Sequence, residues 1–471
     1  MDDNLPIPSL ISKDQAWHYR VVVKSGSAHE IVMHCDEGEL YTGLADELEV
    51  VLGKRILLEP LPPASISKLL QQYYPKESGQ HQFQKMTLAI EGDGFLDDLI
   101  REARLLKSSD IHIEIYEDKC RVRIRIDGMM VERYVLKKSE YPSLINKIKI
   151  MANLDIAEKR LPQDGRINFK SGEEQFDIRV SVLPTLHGEK VVLRLLNNNA
   201  ANIDLLHVGF SEFDLENYLQ GVKRPNGIIL ISGPTGSGKT TTLYATLKYL
   251  NKETRNILTI EDPIEYTLEG INQVQLKESI GLTFASALRT FLRQDPDVIM
   301  VGEIRDPETA NMAIRAALTG HLVLSTVHTN SAWGTVSRLM DMGIPPFLVA
   351  NTLNTSVAQR LIRLLCNHCK QEAPFDEGSY PKQFKPFAPV SHHYLAKGCE
   401  RCYYTGYSGR KAVYEVIPLD QELTEEIKKN NLYINPLLQE RGIKTLGENA
   451  FALFAGGQTT IEEIYPLLFT N

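Results

Sequence analysis

Apolar and polar positions follow three regimes along the chain. Over residues 1–82, segments 19–24 and 30–33 alternate apolar with polar side chains, the two-residue period of a half-buried strand. Segments 43–52 and 65–74 space their apolar residues for one face of a helix, and Pro75 stops the second. A small α+β domain is predicted there. The run 76–85 is polar and poor in apolar residues and leads into a linker placed at 83–93.

Residues 94–204 predict a second α+β unit. A helix over 95–104 leads to strands over 110–115 and 121–126, with a tight turn at Asp127 and Gly128. A helix over 143–154 and strands over 176–180 and 191–196 complete it. From residue 205 the pattern becomes strand–helix alternation. That predicts an α/β fold, a mainly parallel sheet with helices on both faces. No tandem repeat or low-complexity tract is present.

Composition narrows the class. The chain has 471 residues, room for about three domains. With 43% hydrophobic and 24% charged residues, it is neither a disordered chain nor a disulfide scaffold. A net charge of −8 argues against wholesale wrapping of nucleic acid. The longest apolar runs, at 227–231, 298–301 and 322–324, are strand-sized and far short of the roughly 20 residues of a membrane span. The N-terminus lacks a basic region followed by an apolar stretch, so no secretory signal is read there. The expectation is a cytoplasmic protein whose membrane contact is indirect.

Six cysteines carry chemistry or packing. Cys35 and Cys120 stand alone and read as small buried hydrophobes. Cys366, Cys369, Cys399 and Cys402 form two Cys-x-x-Cys pairs with 29 residues between them. In a reducing compartment such pairs suit a tetrahedral zinc–sulfur site of structural type. His368, His392 and His393 lie near enough in sequence to compete as ligands, but the cysteines are preferred. The intervening loop holds Pro374, Pro381, Pro386 and Pro389, so it is expected to lack a core of its own and to depend on the metal.

The strongest motif is Gly233, Pro234, Thr235, Gly236, Ser237, Gly238, Lys239 and Thr240, followed by Thr241. It fits G-x-x-x-x-G-K-[ST], with a strand before it and a helix after it. Glycines let backbone N–H groups turn inward around phosphate, and the helix N-terminus adds partial positive charge. Lys239 is expected on the β/γ-phosphates and the Thr240 hydroxyl on Mg²⁺. Three later strand ends carry polar groups toward the same edge. Residues 257–260 end in Glu261 and Asp262, a candidate pair for positioning the attacking water. Residues 298–301 lead to Glu303, with Gly302 at the usual Asp position, so Glu303 holds Mg²⁺ directly or through water. Residues 321–327 end in His328, whose imidazole is placed to read the γ-phosphate by a hydrogen bond.

Together these blocks resemble the secretion ATPase superfamily, which powers type II secretion, type IV pili and DNA-uptake pseudopili. The resemblance spans roughly residues 90–471 and includes the run from Ser109 to His112 and that from Asp155 to Arg166. It implies a RecA-like motor domain over 205–365 with a C-terminal helical part over 412–471. It further implies a PAS-like second domain over 94–204 and a zinc module over 366–411. It makes Glu261 the catalytic carboxylate and Glu303 the Walker B acid, with ATP, Mg²⁺ and Zn²⁺ as cofactors. It places Arg179 and Arg194 from the second domain over the nucleotide, where guanidinium charge would stabilise phosphoryl transfer. Arg289, Arg293 and Arg305 also match family arginines, without an assigned role.

The tetracysteine module is common among type II members and missing from pilus retraction ATPases, and pilus extension members usually carry a longer N-terminal region. The resemblance therefore points to a homo-hexameric, cytoplasmic type II secretion ATPase, peripheral on the inner membrane. Domain 1–82 would dock on the cytoplasmic part of a secretion-platform protein. Acidic stretches at 36–40 and 46–49 could face basic residues of that partner, or be plain solvated surface. A pilus or DNA-uptake pseudopilus ATPase is the alternative. A DNA-dependent motor is disfavoured by the charge and by the lack of an aromatic–basic stripe. A non-hydrolysing scaffold is disfavoured by intact Lys239, Glu261 and Glu303. No nucleic-acid partner is expected.

Overall fold

The structure, a computed structural model, describes residues 11, 16–17, 19–27, 30–37, 43–52, 54–74, 94–171, 174–195, 204–381 and 383–469. The linker expected at 83–93 lies outside the described residues. The chain divides into two compact units, Met1–Gln84 and Lys85–Asn471.

The first unit is a three-stranded sheet with two helices. Strands β1 (Val21–Gly26) and β2 (Glu30–Asp36) pair antiparallel, and β3 (Arg55–Leu61) joins β2 in parallel. Helices Leu44–Leu52 and Pro63–Tyr73 cover it, the latter opened by a proline at its first turn. Val21, Ile31, Met33, Leu48, Ile66 and Leu70 form the core, with Cys35 wholly buried among them. β3 escapes a sequence reading because Pro60 interrupts it and its burial alternates poorly. Asp36 corrects the view of an acidic docking stretch. Its carboxylate is buried against Arg20 at 2.5 Å, so it is withdrawn from any partner.

Among the described residues the second unit holds two large sheets and a two-stranded one. The first is antiparallel throughout. It contains β4 (Asp110–Ile115), β5 (Cys120–Ile126), β6 (Met129–Leu136), β7 (Gln163–Ser171), β8 (Glu174–Thr185) and β9 (Gly188–Leu195), in the order β6-β5-β4-β9-β8-β7. β5 alternates buried and half-buried along its length, as its Cys-Arg-Val-Arg-Ile-Arg-Ile pattern requires. Asp127 (φ 47°) and Gly128 (φ 88°) make the expected tight turn. Helices Phe95–Leu105 and Tyr141–Met151 seal one face with Leu96, Leu99, Ile100, Leu144, Ile145 and Ile148, leaving the other face polar. Cys120 is buried here.

The second sheet is the predicted parallel one. It contains β10 (Gly227–Ser232), β11 (Ile257–Glu261), β12 (Asn272–Gln275), β13 (Val298–Val301), β14 (Leu322–Val327) and β15 (Leu353–Leu365). After the small hairpin β16 (Gln371–Pro374) and β17 (His392–Leu395), β18 (Tyr407–Pro418) returns to its edge. The order is β12-β11-β13-β14-β10-β15-β18, parallel except for the β15–β18 pair. β10 is buried on both sides. Ile229 and Ile231 meet Leu243 and Leu247 of helix Lys239–Leu250 on one face. Ile228 and Leu230 join the opposite core with Leu288 and Phe291 of helix Phe284–Phe291 and Ala313 of helix Pro307–Leu318. This two-sided cover explains the unbroken apolar strands.

Candidate nucleotide and metal sites

Strands β10, β11, β13 and β14 lie side by side and parallel, so their C-terminal ends deliver side chains to one edge. There a cleft of about 570 Å³ is lined by the phosphate loop from Thr235 to Thr241 with Glu261, Asp262, Gly302, Glu303 and His328. The phosphate loop and the strand-end groups expected from the sequence thus meet in one place.

The loop has the geometry of an anion cradle. Gly233 (φ 150°) and Gly238 (φ 89°) hold left-handed backbone. A Cβ on Gly233 would fall 2.5 Å from the Gln359 carbonyl, and one on Gly238 2.8 Å from the Gln359 amide. Only glycine fits either position. Helix Lys239–Leu250 starts directly after Gly238, presenting its free N–H groups. Ser237 Oγ is buried without a hydrogen-bond partner among the described residues. Lys239 donates to the carbonyls of Gly233 (2.8 Å) and Pro234 (3.0 Å). Burial lowers its pKa, and the Glu303 charge opposes that shift. These features fit a nucleotide's phosphates, with the exposed Thr240 at the start of the helix as the hydroxyl for Mg²⁺.

The two glutamates differ in setting. Glu303 follows β13, and its carboxylate pairs with Arg305 on one oxygen and His328 Nε2 (3.4 Å) on the other. Arg305, unassigned from sequence, thereby gains a partner beside the phosphate loop, and its pKa is raised by that hydrogen bond. Glu261, the last residue of β11, is 3% exposed and accepts from Tyr244, Thr259 and Gln273.

The four paired cysteines converge on one point. Their Sγ atoms all lie within 4.8 Å of one another, with separations of 3.9, 3.7 and 3.7 Å for Cys366–Cys399, Cys369–Cys402 and Cys399–Cys402. A tetrahedron with Zn–S bonds of about 2.3 Å has edges of about 3.8 Å. The N–H groups of Cys399 (3.1 Å) and Gly406 (3.3 Å) point at Cys402 Sγ, as a thiolate favours. Four sulfurs fit a structural zinc. The histidines do not join them. His368 meets Arg401, and His393 packs on Phe375 and Phe454.

Comparison with known proteins places the chain. Residues 91–466 match the family model for the type II/IV secretion system protein. Type II secretion system protein E of Pseudomonas aeruginosa is 47% identical over 382 residues, 79% of this chain and 74% of that protein. The type IV pilus assembly ATPase PilB of Myxococcus xanthus is 41% identical over 492 residues, 97% of this chain and 86% of that protein. A crystal structure of the pilus retraction motor PilT with bound ADP superposes with a TM-score of 0.53 at 27% identity, covering 78% of this chain and 95% of that one. The chain belongs to the type II/IV secretion ATPases.

Membership fixes ATP as the nucleotide for this secretion ATPase, while two expectations meet a different arrangement. Arg179 and Arg194 do not line the phosphate-loop cleft. They line a neighbouring cavity of about 490 Å³ with Asp164, Arg166 and Ser181. Arg179 donates to the Ile264 carbonyl (2.8 Å) and pairs with Glu265 (3.3 Å), while Arg194 pairs with Asp110 (3.0 Å). Arg289 and Arg293 also lie off the cleft, Arg289 bound to Glu308 and Arg293 to the Arg289 carbonyl. Secondly, the proline-bearing loop does have a core. Phe375, Tyr380, Phe384 and Phe387 pack with Phe451 and Phe454 of helix Leu446–Ala455. The loop borrows this aromatic surface from a helix about 70 residues away in sequence, a contact that composition does not reveal.

A zinc test follows from both facts. Metal analysis of the purified secretion ATPase should give about one zinc per chain. Cys399→Ser should lose that zinc and lower thermal stability, while the aromatic packing keeps the loop folded. A folded chain containing no zinc would remove the metal from the account.

Sequence reading missed several cleft groups: Ser109, Leu243, Leu361 and Arg410 line it, and Gln359 braces the glycines. Arg410 is held by Asp127 of the β5–β6 turn, which also accepts the Gly409 N–H at 2.7 Å. Leu361, Arg410 and Gln359 stand beside no recognisable motif, so only the tertiary fold could assign them.

Proposed function

We propose that this ATPase powers pseudopilus assembly and protein export by a type II secretion system. The observation that carries this reading is the single cleft holding the phosphate loop, Glu261, Glu303 and His328 at adjacent strand ends. In it, Lys239 holds the β/γ-phosphates, and Thr240 and Glu303 hold Mg²⁺. Glu261 orients the attacking water, and His328 senses the γ-phosphate through its contact with Glu303. The chain acts as a homo-hexamer on the cytoplasmic face of the inner membrane. Its first unit docks on the cytoplasmic domain of a platform protein. No helix among the described residues is long and apolar enough to cross a membrane, in keeping with attachment through a partner.

A second reading, pilus assembly, is favoured by one fact: the Myxococcus PilB match extends over 97% of this chain, further than the Pseudomonas type II match at 79%. Deleting the gene in its host separates the two. The first reading expects exported proteins to accumulate behind the outer membrane while surface pili persist. Loss of pili with normal export would establish the second.

A further inference from the structure

The Glu261 carboxylate is held from three elements at once. On one oxygen it accepts the Thr259 hydroxyl of its own strand (2.6 Å) and the Gln273 amide of β12 (3.0 Å). On the other it accepts the Tyr244 hydroxyl from the phosphate-loop helix. A carboxylate offers about four acceptor positions, so most of its capacity is taken while it still lines the cleft.

Tyr244 is itself immobilised. It is buried, its hydroxyl accepts the Glu265 N–H at 3.3 Å, and its ring packs edge-on against Tyr266 with centroids 4.5 Å apart. Gln273 reaches the Tyr266 carbonyl (3.2 Å) and accepts the Leu268 N–H (2.7 Å), locking the other side. Burial first, and the Glu261 charge second, raise the Tyr244 pKa well above its usual value, so the hydroxyl remains a donor. Tyr244 lies five residues beyond Lys239 on the same helix. One rigid element thus carries both the phosphate-binding ammonium and the clamp on the water-orienting acid.

We propose that Tyr244 is a positioning residue for ATP hydrolysis, aiming Glu261 so that the acid and the phosphate cradle keep one fixed geometry. This rests on the reading of Glu261 as the group that orients water. Reorientation of that acid by even a small angle misplaces the nucleophile, a loss felt in the chemical step and not in binding.

The test uses the full chain and measures kcat, KM for ATP and ADP affinity. Tyr244→Phe keeps the ring and removes only the donor. It should lower kcat about tenfold or more, with KM and ADP affinity changed less than about twofold. Gln273→Met, which removes a donor from the other oxygen, should show the same kcat-only loss. The double variant Tyr244→Phe with Glu261→Gln should be no slower than Glu261→Gln alone, because both act through one group. Wild-type turnover in Tyr244→Phe would overturn the proposal. So would a parallel loss of ADP affinity, or losses that multiply in the double variant. If Tyr244→Phe does not fold, the Gln273→Met result decides. Normal turnover in Glu261→Gln would instead refute the underlying role of Glu261, whatever Tyr244 does.

Discussion

Lys239→Ala will abolish ATP turnover and sharply weaken nucleotide binding. The Lys239 ammonium is the cation set into the phosphate loop, on the first residue of the helix that follows it. It is almost fully buried, and burial already disfavours its charge. Such a group is retained at the cost of desolvation because it meets concentrated negative charge. Alanine removes that charge and leaves the Gly233 and Pro234 carbonyls without their donor. Turnover should fall by on the order of 10²–10³-fold or more. ADP affinity should fall with it, because the lysine contacts phosphates in the ground state as well. Glu303→Gln provides the contrast. It removes the charge proposed to hold Mg²⁺ but leaves the cradle intact, so ADP affinity should persist while kcat falls. Steady-state hydrolysis and nucleotide titration on folded protein check both. Near-normal turnover in Lys239→Ala would take the phosphate loop out of the mechanism.

The phosphate loop was legible because its chemistry needs contiguous residues. Backbone amides from Gly233 to Thr240 must face one anion, and that forces a local spacing. The same holds for the cysteine pairs and for the alternating strand β5, whose burial follows its sequence period. The strand-end acids were legible at one remove, because parallel strands present their C-terminal ends together. What sequence could not show is partnership across the fold. Tyr244, Thr259 and Gln273 look like unremarkable helix and strand residues until β12 is laid beside β11. β7 was not foreseen because its Asp164 and Gly165 imitate a turn, yet it forms the outer edge of a sheet. The aromatic residues that hold the zinc loop find partners only through helix Leu446–Ala455.

Strand register also decides what the second domain's arginines can do. Arg166 pairs across from Arg179, Arg179 from Arg194, Arg194 from Asp110, and Asp110 from Arg125. Three guanidiniums therefore stand in adjacent positions of one cross-strand row. Like charges directly opposite one another destabilise a sheet, so such a row calls for an anion. Arg179 meets Glu265, just beyond the strand that ends in Glu261, which ties the six-stranded sheet to the rim of the nucleotide cleft. Arg194 is 60% exposed and pairs with Asp110; we propose that it closes over the γ-phosphate when nucleotide binds. We therefore predict that Arg194→Ala lowers kcat by about 10³-fold or more with little change in KM, because the contact strengthens as charge spreads in the transition state. Arg194→Lys should recover only part of the rate, since a point charge cannot reproduce the bidentate fork. Arg179→Ala should instead change kcat and KM together, because it also loosens the docking that closure starts from. Full activity in Arg194→Ala would return this arginine to the role its present contact shows, an ion pair on the surface of the second domain.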